Sequence, residues 1–577
     1  MTAQHSRRPG LITRLARSAA LACSLLVTGA TSGLAADKDR LRAEAFEAAQ
    51  WALSTSAGAA VAQMSARFAS GSDELATLVR QRQDLVDRYR GLDRKLVEAI
   101  ARAGAGKTSA EASAAAAALR AEQAAAGKAI EAVDAELARR FPAYAELADP
   151  KPLTLAETQA ELLDGEALVM ILPTAEETFV FGLSRGKAVW ARAAITEPEL
   201  AATVRALRVS IDPVLSGARA GTAIEDDTAA PGAAAPLPPV QAGFDRQRAH
   251  GIWKALFQPV GAAFADAREL LIVTSGPLTS LPISVLPTAA PKGADNDPEA
   301  LRATEWVARR FATTTLPSVG SLKALRRFRV ADLGSEKFRG FGAPKLEGRT
   351  GAATAVASSQ AFLRGGSGGL ADVNELRKLA PLPNTGAELK RLAGALGAGD
   401  DAVILAERAT ETNVKSADLS RTRVVAFATH GLVVGELKGL AEPALVFTPP
   451  GKPTADDDGL LTASEAARLR LAAEWVLLSA CNTAAGDGTP GAEGLSGLAR
   501  AFIYAGARAL LASHWPVRDD AAARITTRTF AIRAANGSVG RAEALRRAMV
   551  ELIDDRSDPT LAEPRAWAPF VIVGDGR

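Results

Sequence analysis

The second half of this 577-residue chain alternates short apolar runs with segments of helical periodicity. Apolar runs of about four to eight residues that are rich in Val, Leu and Phe are typical of strands buried on both faces. Such runs occupy residues 402–405, 424–428, 443–447, 475–479, 507–513 and 570–573, and helical patterns occupy residues 385–396, 410–417, 464–468 and 494–505. Because strands alternate with helices, the pattern predicts an α/β fold with a layered sheet.

The part of the chain before residue 331 carries its own strand and helix patterns. Apolar runs at residues 166–172 and 177–183, separated by polar turn residues, predict a strand pair. Residues 270–274 predict a further buried strand, and an amphipathic helix is expected over residues 244–257. We therefore divide this half into a helical region, residues 37–148, and an α/β region, residues 149–330, with residues 331–577 as the remaining α/β part.

Two stretches have the composition of loops. Alanine and proline dominate residues 218–240, which predicts a disordered loop. Glycine and serine are frequent in residues 340–369, where we expect a loop on the surface. Neither stretch has the apolar periodicity that a packed core requires.

Residues 40–147 have a helical pattern. One apolar stripe recurs at steps of three, four or seven and consists of Leu75, Leu78, Leu85, Tyr89, Leu92, Leu96 and Ile100. The glycines of residues 104–107 interrupt it, and Thr108 with Glu111 forms a capping-box signal for a second helix. The pattern predicts an antiparallel helical hairpin; a platform that binds a partner protein is the functional alternative.

The first 36 residues resemble a secretory signal. Four arginines precede an apolar stretch at residues 19–30, and small residues follow near residue 35. This stretch is shorter than the roughly 20 apolar residues of a membrane-spanning helix, so we expect an exported, periplasmic or secreted protein without an integral span. Lipid attachment at Cys23 is a weaker alternative. Removal of the signal leaves 64 basic and 65 acidic residues, a balance that gives no reason to expect nucleic-acid binding.

Cysteine and histidine are scarce, and two of them follow predicted strands. Cys481 comes two residues after the run 475–479 and is followed by a polar, glycine-containing loop, the exposed setting that a nucleophile needs. The alternative is a buried cysteine that acts as a small apolar residue. His430 follows the run 424–428, directly precedes Gly431 and lies 51 residues before Cys481. Because parallel strands present chemistry at their carboxyl ends, a thiolate–imidazole pair and a cysteine hydrolase are the leading interpretation.

The other histidines are weaker candidates. His5 is removed with the signal, His250 lies inside a predicted helix, and His514 follows the predicted strand 507–513 and stays open as an alternative. The histidines and the cysteine lie in distant segments without metal-ligand spacing, so neither a metal site nor a cofactor is predicted.

The sequence around these residues resembles the CHAT domain, a caspase- and separase-like family of cysteine peptidases. The resemblance begins with His430-Gly431 and with Ser-Ala-Cys-Asn-Thr at residues 479–483. It extends to residues 271–282, 439–445, 459–465, 493–502, 512–517 and 567–574, and covers roughly residues 160–577. It implies a caspase-like layered α/β/α sheet. One departure is that many relatives carry tetratricopeptide repeat arrays, whereas no convincing 34-residue repeat is found here.

The resemblance also implies roles for individual residues. Cys481 would attack the scissile carbonyl, His430 would act as general base and acid, and the backbone N–H groups of Gly431 and Cys481 would form the oxyanion hole. Glu493, Asp519 and Asp520 are candidates for a substrate pocket that favours a basic residue before the cut bond. The alternative for these acids is that they cap helices or lie in a solvated loop.

Three functions remain distinct at this point. The leading one is an exported, bacterial-type cysteine endopeptidase acting on protein or peptide substrates. The second is a catalytically silent CHAT-fold scaffold that binds partner proteins, because a fold does not prove an activity. A third and weaker one is another thiol acyl transfer, such as transamidation, on the same dyad.

Overall fold

The computed structural model describes residues 34–53, 110–140, 152–211, 243–327, 335–348, 371–432, 443–454, 456–479, 497–515 and 518–577, with the single positions 78, 81, 85, 88, 89 and 92. The predicted signal up to residue 33, the predicted loop at residues 218–240 and residues 349–370 lie outside these ranges. The chain divides into two compact units: one comprises Met1–Ala60 with Pro152–Arg577, and the other comprises Val61–Lys151.

Strands and helices of the described residues are numbered here in chain order. The strands are β1 (Glu166–Pro173), β2 (Thr178–Leu183), β3 (Ala188–Ala193), β4 (Glu269–Thr274), β5 (Ala312–Thr315), β6 (Glu336–Pro344), β7 (Val403–Ala406), β8 (Thr422–Ala428), β9 (Gly431–Leu432), β10 (Ala444–Val446), β11 (Leu460–Thr462), β12 (Trp475–Ser479), β13 (Ala509–Ser513) and β14 (Phe570–Gly574). The helices are α1 (Leu34–Ala52), α2 (Ala110–Arg140), α3 (Leu155–Glu161), α4 (Glu197–Ile211), α5 (Arg246–Ile252), α6 (Pro298–Arg302), α7 (Val307–Arg310), α8 (Val319–Arg327), α9 (Val373–Arg377), α10 (Thr385–Ala395), α11 (Glu411–Ser416), α12 (Ala463–Ala466), α13 (Gly497–Ala505), α14 (Asp519–Ala535), α15 (Arg541–Asp554) and α16 (Pro564–Trp567).

One large sheet organises the Pro152–Arg577 part. Its strand order is β3-β2-β1-β4-β5-β14-β13-β12-β8-β6-β7. It contains two parallel blocks, β1, β4, β5 and β14 in one direction and β13, β12, β8, β6 and β7 in the other. The antiparallel pair β13–β14 joins them. The carboxyl ends of the second block therefore lie at the same edge as the amino ends of the first block.

Helices cover both faces of this sheet. On β6, Gly342 lies against Leu389 of α10, whereas the neighbouring Phe341 points to the opposite face and stacks on Phe427 of β8 with 5.6 Å between ring centroids. Phe427 in turn contacts Phe502 of α13, with 5.0 Å between centroids. Successive side chains of a strand alternate between faces, so α10 and α13 lie on opposite sides. The predicted α/β class with a layered sheet is confirmed.

The expectation of a surface loop beginning at residue 340 is wrong for its first five residues. Residues 340–344 belong to β6, which pairs with both β7 and β8 in the interior of the sheet. Glycine weakens an isolated strand and marks close approach of other groups. Here a Cβ on Gly342 would lie 2.5 Å from the carbonyl oxygen of Ala428. The glycine that suggested a loop is thus required by tight packing.

Other elements differ from the predictions in extent or partner. The predicted helix 244–257 is α-helical only over Arg246–Ile252 and continues as a π turn, Trp253–Phe257, and a 3-10 turn, Gln258–Ala263. The predicted strand 443–447 becomes β10 of a separate small sheet, β11-β10-β9. Strands β3 and β5 and helices α4, α14 and α15 were not anticipated.

Helix α1 packs on the same unit as the large sheet. Phe46 is fully buried. The Gln50 side chain donates to Leu153 O at 2.8 Å and accepts from Leu153 N at 3.0 Å. Arg42 Nη1 donates to the carbonyl of Ala188 on β3, the outermost strand, at 3.0 Å. Helix α1 therefore binds to one edge of the sheet.

The unit Val61–Lys151 is helical where it is described. Positions 78, 81, 85, 88, 89 and 92 are helical, as is α2, and an ion pair of 3.8 Å joins Arg88 to Glu122. The helical character predicted for this region is confirmed for these positions. Among the described residues, no helix combines the length and apolarity needed to cross a membrane.

Candidate functional site

The strands that precede His430 and Cys481 are neighbours. Strands β8 and β12 are parallel, and their register ends with the pair Ala428 and Ser479. His430 follows Ala428 by two residues, and Cys481 follows Ser479 by two residues. Strand adjacency and register are thus as the dyad requires, whereas Cys481 itself lies outside the described residues.

The His430 imidazole is buried and held by the main chain. The residue is 4% exposed, and its Nε2 lies 2.8 Å from the carbonyl oxygen of Ala380, in the segment between α9 and α10. Because a carbonyl oxygen only accepts hydrogen bonds, this contact requires the proton on Nε2. In the neutral ring Nδ1 is then the basic nitrogen, which is the state that a general base needs.

The backbone around His430 is fixed by the small sheet. Val446 N donates to His430 O at 2.9 Å, and the Thr429 hydroxyl donates to Val446 O. Gly431 begins β9 and pairs with Leu445 of β10. The residue predicted to supply an oxyanion-hole N–H is therefore buried in an ordered antiparallel pairing next to His430.

His514 occupies a related place on the other side of β12. It directly follows β13, the next strand of the sheet, and is 5% exposed. Burial, with a smaller contribution from the positive charge of Arg208, lowers the pKa of His514 to about 3. A base with that pKa is weakly basic at neutral pH. The lowered pKa therefore argues against His514 as the base.

Arg208 connects the segment after β4 with the residues after β13. Arg208, near the end of α4, donates from Nη1 to Ser280 O at 2.7 Å. Its guanidinium carbon lies 5.6 Å from the ring centroid of Trp515, the residue after His514. The Arg208 guanidinium therefore lies next to the residues that follow β13.

The predicted pocket acids lie in different settings. Asp519 and Asp520 open helix α14. Arg518 Nε and Nη2 donate to the two carboxylate oxygens of Asp520 at 2.8 and 2.6 Å, and these hydrogen bonds lower the pKa of Asp520. Arg518 Nη2 also donates to Asp558 at 2.9 Å. Asp520 is thus an exposed carboxylate paired with an arginine at a helix start, and Glu493 lies outside the described residues.

Glu388 was missed by the sequence reasoning. It belongs to α10 and is 3% exposed, and Ser479 Oγ lies 3.3 Å from Oε2. The Thr526 hydroxyl of α14 lies 3.0 Å from Oε1. A signal was available, because Glu388 falls on the apolar stripe of α10 with Thr385, Leu389 and Leu392, where a solvated glutamate is out of place.

Acidic and metal-binding side chains do not form a metal centre in the part of the chain that is described. No group of three or more His, Cys, Asp or Glu residues there is arranged to hold an ion.

Several known proteins are similar to this chain. Two structures of the Saccharomyces cerevisiae separase–securin complex, at 3.0 and 2.6 Å resolution, are 10% identical to it. The first has a TM-score of 0.40 and covers 72% of this chain and 30% of that chain. The second has a TM-score of 0.38 and covers 98% and 37%, respectively.

Sequence comparison gives a family. Tetratricopeptide repeat protein 28 of Mus musculus is 29% identical over 224 residues, a match that covers 34% of this chain. The match spans only 9% of the length of that relative. The CHAT domain family model matches residues 246–575, which is more than half of the chain. With His430 and the β8–β12 pair inside the matched range, the chain belongs to the CHAT domain family.

Proposed function

We propose that this chain is a cysteine endopeptidase that hydrolyses peptide bonds in protein substrates with His430 and Cys481. The observation that supports this most strongly is the pairing of Ala428 with Ser479 in adjacent parallel strands. His430 follows Ala428 and Cys481 follows Ser479 by the same two residues, so we expect the imidazole and the thiol at the same edge of the sheet. A nucleophile and its base need this proximity.

The proposed reaction is acyl transfer through a thioester. His430 Nδ1 takes the Cys481 proton, and the thiolate sulfur forms a bond to the scissile carbonyl carbon while the C=O π electrons move to oxygen. The tetrahedral intermediate collapses as the C–N bond breaks, and the imidazolium gives its proton to the leaving amine. Water, deprotonated by His430, then attacks the thioester, which releases the carboxylic acid and regenerates the thiol. Ala380 O keeps the Nε2 proton in place throughout.

Backbone N–H groups of Gly431 and Cys481 are proposed to stabilise the oxyanion. Each such donor contributes roughly 3–4 kcal/mol in comparable sites. The pairing of β9 with β10 and the hydrogen bond from Val446 N to His430 O hold the Gly431 backbone in one conformation. Preorganised donors of this kind do not have to reorient during the reaction.

A basic residue before the cut bond is the proposed substrate preference. Glu493, Asp519 and Asp520 would supply negative charge to the pocket. Arg518 already neutralises part of this charge through Asp520, so a basic substrate side chain would compete with Arg518 for that carboxylate. We also propose that the protein acts after export, in the periplasm or outside the cell, and that its N-terminal helices bind a partner protein.

Alkylation of Cys481 by iodoacetamide tests the dyad. We expect fast alkylation at neutral pH and a drop of at least about tenfold in His430→Ala, because general-base assistance contributes factors of this order or more. Cys481→Ala gives the background from Cys23. His250→Ala is the matched control. A ring nitrogen of His250, Nδ1, also contacts a main-chain carbonyl oxygen, that of Pro287 at 3.0 Å, but His250 is distant from Cys481 along the chain. Equal rates in His430→Ala and the wild type would refute the dyad.

Proteolysis requires its own test. A proteome extract is incubated with the wild type or with Cys481→Ala, and new peptide termini are mapped. Cleavages that depend on Cys481, with Lys or Arg before the cut bond, support the proposal and its substrate preference. Identical termini in both samples would instead support a scaffold that retains the fold without proteolysis.

A further inference from the structure

Glu388 places a carboxyl group inside the protein beneath the end of β12. Burying a charged or polar group is unfavourable unless hydrogen bonds replace its water. Both carboxyl oxygens have such contacts: Ser479 Oγ lies 3.3 Å from Oε2, and Thr526 Oγ1 lies 3.0 Å from Oε1. The Thr526 hydroxyl is also within 2.9 Å of Ala522 O. One side chain thus connects α10, the last residue of β12 and α14.

The depth of α10 on the sheet makes these contacts possible. Cβ atoms on Gly340 and Gly342 would lie 3.1 Å and 2.8 Å from the methyl groups of Leu389. Side chains at these two positions of β6 would therefore lift the helix. Glu388 precedes Leu389, and both are buried with Leu392 on one face of α10. Close packing of α10 brings the carboxyl group to the strand end.

The contact with Ser479 has a direct connection to the proposed chemistry. Ser479 is two residues before Cys481 in the chain and pairs with Ala428, which is two residues before His430. We propose that Glu388 is a positioning residue: by holding the Ser479 hydroxyl it fixes the end of β12 and hence the direction in which the chain carries Cys481 toward His430. This inference rests on the proposed dyad and adds a residue to it.

Thr526 anchors the opposite side of the carboxyl group. It lies on α14, seven residues after Asp519, and its side chain is fully buried. The carboxyl group on α10 thus contacts both α14 and the end of β12. A change of this group should therefore shift the position of the strand end relative to both helices. A displacement of about 1 Å at a reacting group can reduce a rate by about a hundredfold.

The test uses the alkylation rate of Cys481 in the full chain with Glu388→Gln, His430→Ala and the double variant. Glutamine keeps the shape and one acceptor oxygen but replaces the other by an amide nitrogen, which cannot accept from Ser479 or Thr526. We expect Glu388→Gln to slow alkylation at pH 7 by about tenfold. In the His430→Ala background the same change should have no further effect, because the residue acts through the dyad.

Controls separate positioning from a loss of stability. Glu269→Gln changes another, partly buried carboxyl group, which is in β4 of the first block, and should leave the alkylation rate unchanged. Ser479→Ala removes the hydroxyl and should reproduce the effect, also only when His430 is present; it decides the question if Glu388→Gln does not fold. All rates are measured well below the thermal midpoint of each variant.

The outcomes distinguish the inference from the proposed function. Wild-type alkylation in both Glu388→Gln and Ser479→Ala, with slow alkylation in His430→Ala, overturns the positioning role and leaves the dyad intact. If Glu388→Gln slows alkylation equally with and without His430, Glu388 contributes only to general stability, and the positioning role is again overturned. Unchanged alkylation in His430→Ala removes the dyad on which the inference rests.

Discussion

The Arg577 guanidinium donates from Nε to Oε1 of Glu166, 411 positions earlier in the chain, at 2.9 Å. Arg326 binds the same buried carboxylate with Nη2 at 2.6 and 2.7 Å from its oxygens. Just before the last residue, Gly576 passes so close to Thr314 of β5 that a Cβ would clash with the threonine hydroxyl. The C-terminal residues therefore fold back over the first block and tie β14 to β1.

Removing this contact should destabilise the protein measurably. In Arg577→Ala, Glu166 keeps its ion pair with Arg326 but loses the second cation. We expect the free energy of unfolding to fall by about 1–2 kcal/mol. This is less than the effect of breaking a fully buried pair, because Arg577 is half exposed. Chemical denaturation measures the loss. Arg556→Ala is the control, since its ion pair with Glu299 lies at the surface, and it should change stability by less than about 0.5 kcal/mol. Equal effects of the two changes would contradict the role of the C-terminal contact.

The contribution of Glu269 to the free energy of unfolding should decrease as the pH rises. Burial raises the pKa of Glu269 to about 7 from an ordinary value of 4.5. The folded state therefore binds this proton more tightly than the unfolded state. The associated stability is present below about pH 4.5 and is lost as the pH rises toward 7. Glu269→Gln keeps the uncharged form, so its thermal midpoint relative to wild type should rise between pH 5 and pH 8, by the equivalent of about 1–3 kcal/mol. A pH-independent difference would show that Glu269 does not titrate in this range.

Gly342 should be intolerant of a side chain, whereas Gly394 on α10 should accept one. Gly342→Ala places a methyl group 2.5 Å from Ala428 O and 2.8 Å from Leu389, and such overpacking costs about 1–3 kcal/mol. Gly394 has open space around its Cβ position, so Gly394→Ala should stabilise the helix by up to about 1 kcal/mol. Thermal unfolding of both variants measures the two effects. Similar midpoints would mean that β6 and α10 are less closely packed than these distances require.

His514 should not determine the pH dependence of Cys481 reactivity. Its pKa of about 3 keeps the ring neutral from pH 5 to pH 8. His514→Asn should therefore leave the midpoint of the alkylation-rate profile unchanged and the rate within about threefold of wild type. A shift of that midpoint in His514→Asn, with none in His430→Ala, would reverse the assignment of the base.

The two strands that precede the proposed reactive residues could be predicted locally. Residues 424–428 and 475–479 are apolar enough to form interior strands, and His430 and Cys481 each come two residues after one of them. Strand β6 could not be predicted in this way, because Gly340 and Gly342 have low intrinsic strand preference and are stabilised there by contacts with α10 and β8. Local preference is a weak guide where packing decides.

The sequence by itself determined the α/β class, the two strands that precede His430 and Cys481 in the chain, and the motif series of the family, because these depend on residue type and spacing along the chain. Only the tertiary structure decided which strands are neighbours and which side chains meet across them. The Ala428–Ser479 pair, the proton position set by Ala380 and the burial of Glu388 beneath Ser479 all join segments distant in the chain. Such contacts form when separate elements pack into one core. Hydrophobic periodicity indicates that an element has a buried face, but it does not indicate which other element packs against that face.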